Sequence, residues 1–122
     1  MLAKWIDIDG GKWRVVVNYD VTPDDLVYVL GQVDRVGIND NDRERVEAMF
    51  DEANKAFTVS DMEERMSLVC IGWADSREQM VDSIIHEIDH VQRDVCEYYD
   101  VNLGSERAAW LQGYLGREML VI

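Results

Sequence analysis

The segment from Met66 to Trp73, MSLVCIGW, is apolar at nearly every position. A strand that faces water on one side alternates apolar and polar residues, so an almost unbroken run marks a strand covered on both faces. No other stretch constrains the fold as much, because two layers must surround this strand. A second source of strand lies at the N-terminus, in KWIDIDGGKWRVVVNY. Trp5, Ile6 and Ile8 lead into the DGGK turn, and Trp13 to Tyr19 lead out. Gly10 and Gly11 supply the positive φ that a tight hairpin requires.

Helices fill the remainder. In TPDDLVYVLGQVD, Thr22 is the cap, Pro23 takes the first helical position, and Asp24 and Asp25 sit at the positive end of the dipole. Leu26, Leu30 and Val33 keep helical spacing, and Gly37 ends or follows the element. In DNDRERVEAMFDEANKAF, Val46, Met49, Phe50, Ala53 and Phe57 share one face. AFTVSDMEERMSLVCIGWA then reads as a strand, a polar turn and the stronger strand. Asp75 with Glu78, or Ser76 with Gln79, forms a capping box for a long helix, and Ser105 caps the last one. Hairpin, two helices, hairpin, two helices predicts an α+β fold. The expectation is a single domain over residues 1–122, a small antiparallel or mixed sheet packed with about four helices.

The first helix of the C-terminal pair contains SIIHEIDHVQRDVCEYYD and with it both histidines of the chain. At about 100° per residue, Val81, Ile84, Ile85, Ile88, Val91 and Val95 cluster on one side, and His86 and His90 lie about opposite. Residues four apart stack on one face, so the two imidazoles can address the same ion. His-Glu-x-x-His on a helix is the spacing of two zinc ligands with a glutamate base between them. A zinc site of this kind needs a third protein ligand. Asp94 continues the stripe but lies about 12 Å along the axis from His86, and Glu97 lies farther still. Glu106, which opens the next helix after a loop long enough to reverse the chain, is the best candidate. Gly113 shares a face with Glu106 and Trp110 and would permit close helix contact.

HEIDH followed by SERAA resembles the zincin metallopeptidases of the gluzincin type, and among compact members is similar to ImmA/IrrE-like domains and to short phage or bacterial HExxH proteins. The resemblance covers Met66 to Met119. It implies a zincin-like domain in which His86, His90 and Glu106 hold Zn2+ and Glu87 is the general base. The implied activity is hydrolysis of a protein or peptide substrate by a metal-activated water. It also implies that Met66 to Trp73 lines the cleft and pairs with extended substrate. A third histidine is lacking, so the group that stabilises the oxyanion is left open among Tyr98, Tyr99, Tyr114 and Arg107. Asp89, Asp94 and Glu97 are candidates for orienting the imidazoles.

Charge excludes one class of partner. Asp and Glu total 25 against 12 Lys and Arg, a net charge of −13, which repels nucleic acid. The same charge suits an alternative reading as an acidic interaction or decoy protein for a basic partner. A second alternative is a zincin-like domain that binds zinc without catalysis. Cys70 and Cys96 form no CxxC pair and read as buried free thiols, with a single disulfide as the other option. Asp7 and Asp9 interrupt any apolar leader, and no apolar run approaches membrane-spanning length. The expectation is a cytoplasmic protein with no membrane partner.

Overall fold

The computed structural model describes residues 1–36, 39–50 and 56–121. Its elements are β1 (Leu2–Ile8), β2 (Trp13–Val21), a 3-10 turn (Pro23–Asp25), α1 (Leu26–Val36), α2 (Asp40–Phe50), β3 (Phe57–Asp61), β4 (Met66–Gly72), α3 (Arg77–Tyr99) and α4 (Glu106–Leu120). The fold is α+β, with a mixed four-stranded sheet of order β1-β2-β4-β3. β2 pairs with β4 in parallel, and the two outer pairings are antiparallel.

The apolar runs occupy the two central strands, as burial on both faces requires. On one face Val15, Val17, Tyr19, Val69 and Ile71 pack with Ile84, Ile88, Val91 and Val95 of α3 and Leu115 and Met119 of α4. On the other, Val16, Leu68, Cys70, Phe57 and Val59 pack with Val29 and Val33 of α1 and Val46 of α2. Near its end β2 slips register between Asn18 and Val21, where Asp20 takes a φ of 56°. This bulge reverses the alternation, so Tyr19 faces α4 while Val21 faces α1.

Several expectations shift. Phe57 is the first residue of β3 rather than the end of a helix. Ile85 is 50% exposed. Ala53 and Gly37 lie outside the described residues. Cys70 faces the α1–α2 layer and Cys96 belongs to α3, so the sheet separates two free thiols. Among the described residues, no helix is long and apolar enough to cross a membrane.

Polar contacts set where the helices dock. Asn18 and Gln32 exchange amide hydrogen bonds of 2.9 and 2.8 Å in the buried seam between β2 and α1. Asn18→Leu strands the Gln32 amide and is expected to cost about 2–3 kcal/mol in urea denaturation. The double variant with Gln32→Leu should recover much of that loss, because neither polar group is then left unpaired.

Tyr19 donates its hydroxyl to the Met119 carbonyl at 2.6 Å, and Lys4 Nζ donates to the carbonyls of Glu118 and Val121. These bonds hold the C-terminal end of α4 over β1 and β2. Burial pushes the Tyr19 phenol from 10.0 up to about 12. A phenol whose folded value is raised contributes stability in full below its unfolded value, and that contribution is lost as pH rises through the folded one. Between pH 10 and 12 the protein should therefore lose roughly 2 kcal/mol more than its Tyr19→Phe variant, read from denaturation midpoints at each pH.

Candidate metal centre

α3 is capped by Ser76, whose hydroxyl accepts the Gln79 N–H at 3.2 Å, while the Gln79 side chain returns to the N–H of Asp75. It ends at Asp100 in the left-handed conformation, with the Asp100 and Val101 N–H groups closing on the Cys96 carbonyl. Between these ends Ile84, Ile88, Val91 and Val95 anchor the helix to the sheet. His86 and His90 are exposed. Their Nε2 atoms stand 3.1 Å apart, with ring centroids 4.8 Å apart and planes at 73°.

That separation fits a shared ion. Two nitrogens at about 2.0–2.1 Å from zinc, at a tetrahedral angle, lie about 3.3 Å from each other. The 3.1 Å contact is a hydrogen bond between the two rings, whose donor depends on the tautomer.

Glu87 turns inward between the two histidines in sequence. It is 2% exposed and accepts a hydrogen bond from Thr58 Oγ1 at 2.9 Å. Burial pushes its carboxyl up, against the Thr58 bond and the nearby His86 and His90, which pull it down. A carboxylate with a raised pKa is a better proton acceptor near neutral pH. Thr58 was not legible as a site residue, although FTVSD alternates and places Thr58 and Ser60 together on the face opposite Phe57 and Val59. Ser60 continues the seam. Trp13 Nε1 donates to Ser67 Oγ at 3.0 Å, Ser67 and Ser60 hydroxyls meet at 2.8 Å, and Ser60 donates to Asp94 at 2.6 Å.

Two expectations about the surroundings change. The segment expected to pair with extended substrate, Met66 to Trp73, forms β4 over Met66–Gly72, and both edges of that strand are taken by β2 and β3. The sheet edge beside Glu87 is that of β3. Glu106 is not brought to the histidines. α4 does fold back along α3, but on the other flank: Gln92 Nε2 donates to the Ala108 carbonyl at 2.7 Å. Gln92 lies about 120° around α3 from His86 and 160° from His90. Among the described residues, no group of three or more His, Cys, Asp or Glu side chains is arranged to hold a metal.

Most of the remaining candidates are engaged by other partners. Asp89 pairs with Arg93 at 2.8 Å, and Asp94 is held by Ser60. Tyr98 and Tyr99 pack on Trp13 at 5.6 and 6.4 Å, and Tyr98 lies about 12 Å along α3 beyond His90. Tyr114 donates to the Asp7 carbonyl, and Arg107 borders a cavity beneath α4.

No family model, curated protein or solved structure matches the chain.

Proposed function

We propose that His86 and His90 bind Zn2+ and that the chain is a zinc-dependent metallopeptidase with Glu87 as general base. One observation supports this reading above the others: two exposed imidazoles converge to 3.1 Å beside a buried carboxylate. Zinc in such a site would supply Lewis acidity and an acidified water. The chain's own residues do the rest. His86 and His90 orient their Nε2 atoms outward, and Thr58 fixes the Glu87 carboxyl. Glu87 takes a proton from the attacking water and returns it to the leaving amine. The free edge of β3 offers backbone groups to an extended peptide. The two free thiols suit a reducing, cytoplasmic setting. The test is hydrolysis of a fluorogenic peptide pool by zinc-loaded protein. Cleavage that a chelator abolishes and zinc restores is expected, and no cleavage with zinc bound removes the peptidase assignment.

A second reading is favoured by the lack of a third protein ligand among the described residues. Here the zinc site recruits a ligand from a partner protein and catalyses nothing. Zinc-dependent capture of that partner, unaffected by Glu87→Gln, separates it from the first.

A further inference from the structure

A cavity of about 230 Å³ lies beneath α4, on the flank of α3 away from the histidines. Ile8, Val95, Val101 and Leu111 give it apolar walls, and Asp9, Cys96, Tyr99 and Arg107 complete its lining. A neighbouring groove shares Ile8, Asp9, Arg107 and Leu111 with it and adds Asp7 and Trp110, the latter 73% exposed. In a chain of net charge −13, Arg107 has no ion pair or side-chain hydrogen bond among the described residues. Asp9, the carboxylate that shares the wall, is paired with Lys12 at 3.4 Å. An apolar chamber with one uncommitted guanidinium is complementary to a molecule with an apolar body and a single carboxylate.

We propose that this cavity binds a small free carboxylic acid with an aliphatic or aromatic tail, its carboxylate on Arg107 and its tail between Ile8, Val95 and Leu111. At interior packing density the chamber accommodates roughly 170 Å³ of ligand, about that of an eight-carbon acid. The site is independent of zinc.

The test titrates the protein with octanoate, octanol and octylamine, following tryptophan fluorescence. Octanoate should bind about tenfold more tightly than octanol, since a charge-assisted pair is added to the same apolar contact. Octylamine should bind most weakly. Arg107→Ala should erase the preference for the acid while octanol still binds. Leu111→Trp, which fills the chamber, should abolish binding of both, with circular dichroism confirming an intact fold. Failure of octanoate to bind, equal octanoate affinity in Arg107→Ala, or undiminished binding in Leu111→Trp would each overturn the assignment. So would binding of a peptide ending in a free phenylalanine carboxylate but not of octanoate, which makes the ligand a chain terminus.

Discussion

Glu87→Gln is expected to lower peptide hydrolysis by about 10³-fold while zinc binding is retained. Gln keeps an oxygen to accept the Thr58 hydroxyl but cannot take a proton from water. The same change should stabilise the zinc-free protein at neutral pH, because it removes a negative charge that burial disfavours. Burial raises the Glu87 pKa, so the folded state holds its proton to higher pH than the unfolded state does. Its favourable contribution is present below the ordinary carboxylate value and is lost as pH rises through the folded value. The gain from Gln should therefore be largest at neutral pH and shrink on acidification. A variant inactive and less stable at neutral pH would mark Glu87 as a structural residue.

Trp13→Ala is the second large effect. The indole is fully buried, stands edge-on to Tyr98, and starts the chain of hydroxyls that reaches Asp94. Truncation should cost about 3–5 kcal/mol, a large share of the 5–15 kcal/mol typical of a domain, and lower the melting temperature by about 15 °C. Trp13→Phe keeps most of the packing and loses only the Nε1 donor to Ser67, for about 1–2 kcal/mol. Equal losses in the two variants would show that the hydrogen bond, not the packing, carries the residue.

The elements that local chemistry dictates were legible in the sequence. The caps at Thr22, Ser76 and Ser105, the DGGK hairpin and the central strand from Met66 follow from turn residues, capping side chains and apolar runs. The outward face of His86 and His90 follows from helical periodicity alone. What periodicity leaves open is which neighbour covers which flank. Gln92 and the Ala108 carbonyl draw α4 to one side of α3, while Lys4 and Tyr19 hold its far end over β1 and β2. None of these long-range contacts has a local signature, so Glu106 read as reachable. Phe57 misled for a related reason: an apolar residue seven positions after Phe50 fits a helical face, yet it opens the edge strand.

The convergent histidines are tested most directly by zinc affinity, measured by competition with a chromophoric chelator. Wild-type protein should bind one equivalent. His86→Ala and His90→Ala should each weaken binding by about a hundredfold or more, at or beyond the upper end of what outer-shell changes cost. Glu106→Ala should leave the affinity unchanged. Wild-type protein that takes up no zinc, or His86→Ala that binds it equally well, would contradict a metal centre at this pair.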